Sequence, residues 1–560
     1  MKKLFISLLF ALLSNCIFSQ SKPEFSEAFK EPEGWTKLIQ IRNGNTALIE
    51  ITKRKGMNFT LYGPDRKVIV TKLLPLTKVS VKMGGPSSVP AIYDIDGNVV
   101  LFVLFFADSE KGLVPTLFRV VVDGKTGNLI EESSVLALKE FTMEDNNELA
   151  YGEKDYPAIH VEKDPESDNY AVIGYNVYLN DLNKVLNVLH FDGSHKLISN
   201  NFVTVPKGNY KYINYLGAYV HKDEYVITAA YVYNAGKGSA KEIKYFSSKL
   251  TKDNAAAVLQ ELKYQDYSRD AKGKFIYNKN KLTLIITALN KLEGDDMGYD
   301  ISFQTINPAT LAVENLYKDD LTKVNEYYKT KMNGSKDIWG YVGGTSVTSD
   351  GNLLMLYQNI AKRTISPTVG ASRDVHNNYD YTNIIVPVSK WTVRESFLGD
   401  LGISVMSPEG KVIESKAINF AMLRSGNLHE FGYDDRKKGR KGRFELQDPG
   451  LGAPWYFGAD VVSTESGNYI FCNASAENFE KPDTERHGRV KAISTTNAVK
   501  YVYKNGTISK GYLFDAPKDK KENKFCNFSA SDYNPVTKTY STIMVDVKAE
   551  KSSVVWFKLD

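Results

Sequence analysis

The sequence predicts an all-β chain built from repeated four-stranded sheets, and three observations predict it. Short runs rich in Val, Ile, Tyr and Phe alternate apolar with polar residues between turn signals, which is the period of strands rather than helices. Two kinds of turn recur in strict alternation. The units they mark have similar lengths over most of the chain, the sign of a repeat architecture.

The first kind is a tight polar turn leading into an apolar strand. It falls at Gly44-Asn45, Gly97-Asn98, Asp168-Asn169, Asp223-Glu224, Asn280-Lys281, Gly351-Asn352, Gly467-Asn468 and Thr537-Lys538. Gly and Asn suit such turns because they accept positive φ cheaply. The second kind lies later in each unit, at Pro64-Asp65, Asp123-Gly124, Asp192-Gly193, Thr251-Lys252, Asn307-Pro308, Pro408-Glu409, Asn505-Gly506 and Glu550-Lys551. Each unit is therefore four strands, here called A to D. Radially repeated four-stranded sheets define a β-propeller, in which each sheet buries its faces against its neighbours. The expectation is a single propeller of eight blades over residues 20–560, seven being the alternative count. Two separate all-β domains are the competing architecture, because the spacing from Gly351 to Gly467 is about twice that elsewhere.

The last unit supplies strands near 524–531, 540–547 and 553–558 and then stops at Asp560. An unpaired edge there is a liability. The segment Pro23 to Lys30 is expected to provide the missing strand and close the ring.

Residues 1–19 read as a secretory signal. Lys2 and Lys3 precede the short apolar run Leu4 to Leu13, and Ser19 suits the cleavage position. Removal takes two lysines from a formal net charge of +5, too small an excess for a nucleic-acid binder. No later run is long and apolar enough to span a bilayer. The expected location is periplasmic or extracellular. The alternative is a lipoprotein anchored through Cys16, since Leu13-Ser14-Asn15-Cys16 resembles a lipoprotein box apart from Asn15. Cys472 and Cys526 remain in the mature chain, and the sequence leaves their pairing open. The ending Phe18-Ser19-Gln20 resembles signal peptides of Bacteroidota. With the turn rhythm, the chain resembles secreted Bacteroidota propellers of uncharacterised type.

In such blades the A–B and C–D turns share one face, and the B–C and D–A connections share the other. Extra length falls in connections of the latter kind, near 137–158, 318–343, 361–397, 419–452 and 477–494, the longest being 361–397 and 419–452. Long loops on a rigid scaffold are where binding concentrates. The candidate binding face therefore carries His376, Tyr379, Tyr381, Trp391, Arg436, Arg440, Arg443, Trp455 and His487. Residues 436–443 hold six Lys or Arg in eight positions, and 137–158 carries Glu140, Glu144, Asp145, Glu148 and Glu153. Basic clusters recognise acidic glycans and similar anions by charge and bidentate Arg contacts, although such runs are often no more than solvated loops.

Catalytic signatures are sparse. No GxSxG, Walker, HExxH or paired CxxC motif occurs, and no cofactor or metal site is expected. His376, His429 and His487 lack tight ligand spacing. Ser349-Asp350-Gly351-Asn352 faintly resembles a sialidase Asp box but lacks its Thr and aromatic residue. The favoured reading is a monomeric, non-catalytic binding or scaffold protein for an acidic glycan, a peptide or a cell-envelope protein. The alternative is a glycan-cleaving enzyme with paired carboxylates at the channel mouth.

Overall fold

Eight antiparallel sheets follow one another along the chain in this computed structural model, each ordered A-B-C-D in space, and in the first seven also in sequence. The structure describes residues 22–32, 35–52, 56–79, 87–109, 112–142, 157–234, 242–252, 258–264, 271–291, 297–319, 321–334, 337–365, 393–425, 459–488, 490, 493–519 and 522–559. The A strands are Trp35–Gln40, Ser87–Ile95, Ala158–Lys163, Tyr212–His221, Ala271–Asn278, Tyr341–Val347, Ala459–Ser463 and Lys524–Asn534 in blades one to eight. Neighbouring A strands touch around the circle, and the A strand of blade eight meets that of blade one. The chain is thus an eight-bladed propeller with the A strands innermost.

Second strands explain the long apolar runs. Tyr170–Tyr175 and Tyr225–Tyr233 are buried at every position, because a mid-blade strand is covered on both faces by adjacent sheets. One such interface stacks Ile49, Phe59, Leu101, Val103 and Val120 between blades one and two. The D strands face solvent on the rim and expose Val68, Ile69, Leu73 and Ile130.

All eight turns of the first kind join A to B. Of the second kind, seven join C to D. The eighth, Glu550-Lys551, joins B to C of blade eight, between Thr539–Asp546 and Lys551–Lys558. The fourth strand of that blade comes from the other end of the chain. Glu24 pairs with Trp556 and Phe25 with Val555, and Phe29 and Ser552 exchange backbone hydrogen bonds of 2.8 Å. Arg66 of blade one donates to Glu24 at 2.6 Å, tying the clasp to the next sheet.

Close approach between blades fixes certain glycines. Gly410, at φ +94° in the C–D turn of blade six, leaves only 2.6 Å between an added Cβ and Phe303 Cβ of blade five. Gly410→Ala combines positive-φ strain with that clash and should cost about 1–3 kcal/mol. Thermal unfolding checks it, and an unchanged midpoint would contradict this packing.

Two α-helices occur among the described residues, both in connections of the B–C and D–A kind. Helix α1, Thr322–Met332, precedes blade six and buries Val324, Tyr328 and Met332. Gly402 makes room for it, since a Cβ there would lie 2.7 Å from Val324. Helix α2, Ala476–Glu480, joins B to C in blade seven. In blade six the B and C strands, Leu353–Ile365 and Val393–Met406, stay paired up to Ile365 and Val393, so 361–365 and 393–397 are strand. Antiparallel order places the described residues bordering 366–392 and 426–458 at the same end of the ring.

Candidate functional site

The inner strands bring ionisable side chains to the axis. Alternation decides which ones: along Ala158–Lys163, Ile159 and Val161 are buried in the core, while His160 and Glu162 point the other way and stay partly accessible. Lys37 alternates with buried Thr36 and Leu38 in the same manner. Lys272 and Lys274 flank Gly273 on blade five. Lys37, His160, Lys272 and Asp460 each lie within the first three residues of their strands, at the end from which the long connections leave.

One arc runs over blades two to six. Tyr93 donates to the Val161 carbonyl at 3.0 Å. His160 stacks on Tyr215 of blade four, ring centres 4.5 Å apart. Lys274 donates to Thr345 of blade six at 3.0 Å. His160 feels the charge of Lys272, and Glu162 that of Lys274, although both lysines stand two blades away, as groups turned towards the shared axis would. Tyr215 sits at a β-bulge, and its buried hydroxyl meets no hydrogen-bond partner among the described residues.

The other arc spans blades seven, eight and one. Lys37 donates to the carbonyls of Ser531 and Ser529 at 2.7 and 3.2 Å, which an irregularity between Asn527 and Asp532 turns inward. The Asp460 carboxylate accepts from the Tyr540 hydroxyl at 2.7 Å, and that of Asp532 from the Gln40 backbone N–H at 2.7 Å. Cations and carboxylates are thus spread around the circle on separate blades: Lys37 on blade one, Glu162 on three, Lys272 and Lys274 on five, Asp460 on seven and Asp532 on eight.

Burial sets the protonation states. Enclosure pushes the Glu162 carboxyl up to about 7, with Lys274 pulling it back; it lowers Lys274, with Glu162 opposing. Enclosure and Lys272 drive His160 down to about 4, so its ring is neutral at pH 7. Asp460 and Asp532 are both raised by burial, and Asp532 further by the charge of Asp460. Beside the channel, at the same end, a cavity of about 160 Å3 lies between blades three and four. Tyr175, Lys211, Tyr212 and Tyr233 line it, with Tyr212 stacked on Tyr233 at 5.0 Å.

Of the residues the sequence singles out, His376, Tyr379, Tyr381, Trp391, Arg436, Arg440, Arg443 and Trp455 lie outside the described residues, as does His429. His487 is described, in the blade-seven connection that begins with α2. Burial, then Lys510 and Lys481, hold it down at about 4. Cys472 and Cys526 are buried free thiols. No group of three or more potential metal-ligating side chains occurs among the described residues, and no described helix is long and apolar enough to cross a membrane. The channel residues escape sequence inspection because Lys or Glu at alternate strand positions ordinarily marks a solvated face. A usable signal is the recurrence of an ionisable residue early in A strands of alternate blades.

No protein-family model matches the chain, and no curated protein matches its sequence. Among solved structures, the chain is similar to the β-propeller domain of the Trilobed protease from Pyrococcus furiosus, described as an open velcro topology. The identity is 10%, over 85% of this chain and 98% of that one, with a TM-score of 0.31. It is also similar to the polysaccharide lyase Uly1, at 10% identity over 84% and 90% of the two chains and a TM-score of 0.31. A Dyadobacter fermentans protein of unknown function shares 12% identity over 61% and 94%, with a TM-score of 0.32. At these scores none of them bears on what the chain does.

Proposed function

We propose that this is an exported binding protein that seats an acidic glycan at the channel mouth and on the surrounding insert-bearing face. The observation that carries the reading is the placement of Lys37, His160, Lys272 and Asp460 at the end of the A strands where the long connections leave. Lysines there meet the ligand's carboxylates or sulfates, and the Tyr212–Tyr233 cavity beside them offers a platform for a sugar ring. The insert residues His376, Tyr379, Tyr381, Trp391, Arg436, Arg440, Arg443, Trp455 and His487 extend the same surface in this proposal. Glu24–Phe25 runs antiparallel to Lys551–Lys558, so the chain enters the ring from the opposite face. Tethering through Cys16 would then leave the insert face pointing away from the membrane.

Calorimetric titration with oligogalacturonate and its methyl-esterified, neutral counterpart tests this. The acidic form should bind and the neutral form should not. The double variant K272M/K274M should lose roughly ten- to a hundredfold in affinity, the worth of a charge-assisted contact. Deleting 434–443 should weaken binding further. Equal binding of the two ligands, or an unaffected double variant, would overturn the proposal.

A second reading is favoured by one observation, the carboxyls of Asp460 and Asp532, both raised by burial and Asp532 also by the charge of Asp460. Carboxyl pairs whose environments hold one protonated perform glycoside hydrolysis. Release of reducing ends that disappears in D460N and in D532N would support it; substrate left intact by the unaltered protein would exclude it for that glycan.

A further inference from the structure

We propose that the groove between helix α1, blade six and blade seven is a separate oxyanion site, which takes one carboxylate or sulfate group of an acidic glycan. It is a cleft of about 480 Å3 at the outer edge of the ring, away from the axial channel. Tyr327 and Lys331 reach it from α1, Lys416 from the D strand Val412–Ile418 of blade six, and Asp483 and Lys510 from blade seven.

Three ammonium groups and one carboxylate, Asp483, line this cleft, and a second carboxylate, Glu414, stands beside Lys416. Two of the three are held in place. Lys416 pairs with Glu414 at 3.0 Å and lies 4.9 Å over the Tyr327 ring. Lys510 donates to the Lys481 carbonyl at 3.0 Å, pairs with Asp483 at 3.3 Å and lies 5.5 Å over Phe479. Ammonium groups positioned before the ligand arrives lose little freedom on binding it. Lys331 rides on the last turn of α1 and completes the set.

A second observation comes from His487, next to the groove. Its Nε2 is buried and meets no hydrogen-bond partner among the described residues. Lys510 and Lys481 add to burial in keeping the ring neutral, against Asp483. Of the charges lining the groove, Lys510 lowers the imidazole and Asp483 raises it, so an anion seated against Lys510 would be felt at the ring. The sign follows: neighbouring cations lower an imidazole pKa, so neutralising them raises it. The glycan as carrier of the oxyanion rests on the function proposed above; the groove and its lysines do not involve the channel.

The test is an NMR pH titration of the His487 ring in the full chain, alone and saturated with inorganic sulfate, oligogalacturonate or a chondroitin sulfate oligosaccharide. The expected result is an upward shift of the His487 midpoint by at least about one unit. Sulfate and chondroitin sulfate together, without oligogalacturonate, assign the site to sulfate; oligogalacturonate assigns it to carboxylate. The shift should vanish in K331M/K416M/K510M and persist in K272M/K274M. Should the triple variant fail to fold, K331M and K510M singly should each weaken the anion's affinity at least threefold. A midpoint unmoved by all three anions, or a shift that survives loss of the lysines, would overturn the proposal. A failed channel is recognised separately: calorimetric binding is then unaffected by K272M/K274M while the His487 shift remains.

Discussion

Trp556→Ala should destabilise the protein by about 3–5 kcal/mol, the range for deleting a large buried aromatic side chain. Trp556 is among the largest fully buried side chains and stands where the ring closes. It lies on the C strand of blade eight, and its strand partner is Glu24 of the clasp. Its indole N–H donates to Thr46 Oγ1 of blade one at 3.0 Å. Its ring meets Tyr62 edge-on at 5.5 Å, and the Arg66 guanidinium lies 5.0 Å from its centre. Removing it therefore opens a cavity and strips a cation–π contact across the seam of the ring. Trp556→Phe keeps most of the apolar area and should cost far less, on the order of 1–2 kcal/mol, with loss of the N–H contact included. Chemical denaturation of both variants checks the order. Near-native stability of Trp556→Ala would mean that the seam does not hold the ring.

Glu162→Gln should make the protein more stable at pH 8 and change its stability far less at pH 5. The Glu162 carboxyl titrates near 7 in the folded chain, against an ordinary value of 4.5. The folded state therefore holds the proton more tightly than the unfolded state between those values. Stability present at low pH is lost as pH rises through 7. The full difference corresponds to at most about 3.5 kcal/mol, at roughly 1.4 kcal/mol per pH unit. Glutamine carries no ionisation penalty and removes this slope. Lys274 limits the effect by favouring the carboxylate, while Tyr215 and Tyr93 each lie close enough to feel its charge. His160 acts in the opposite sense: held near 4 against 6.5, it withdraws stability as pH falls through that window. Denaturation midpoints of the unaltered chain and Glu162→Gln between pH 5 and 8 separate the two. Identical pH profiles would place Glu162 in open solvent rather than in an enclosed channel.

The blades were legible because their signals are local. A turn such as Gly97-Asn98 followed by Val99 and Val100 announces a buried strand whatever lies elsewhere in the chain. Closure by Glu24–Phe25 was legible by counting, since three strands at the C-terminus require a fourth. The turn at Glu550-Lys551 has the composition of the C–D turns, but the strand count of the last unit already puts it between the second and third strands, where the structure has it. The channel was not legible. Alternation tells that His160 and Glu162 share one side of a strand, but not that this side looks across the axis at Lys272 and Lys274. Asp460 and Lys37 are brought together by ring closure alone. His487 lies in the connection between the second and third strands of blade seven, while the charge it feels from Lys510 comes from beyond a different turn of the same blade.

Ligand held at the channel mouth on the insert-bearing end of the ring, as proposed, should leave its mark in hydrogen exchange of the full chain with and without oligogalacturonate. Added protection is expected in the opening residues of Ala158–Lys163, Tyr212–His221 and Ala271–Asn278, with the A–B and C–D turns unchanged. Protection confined to turns such as Gly44-Asn45 and Gly97-Asn98 would put the ligand on the other face and contradict the proposal.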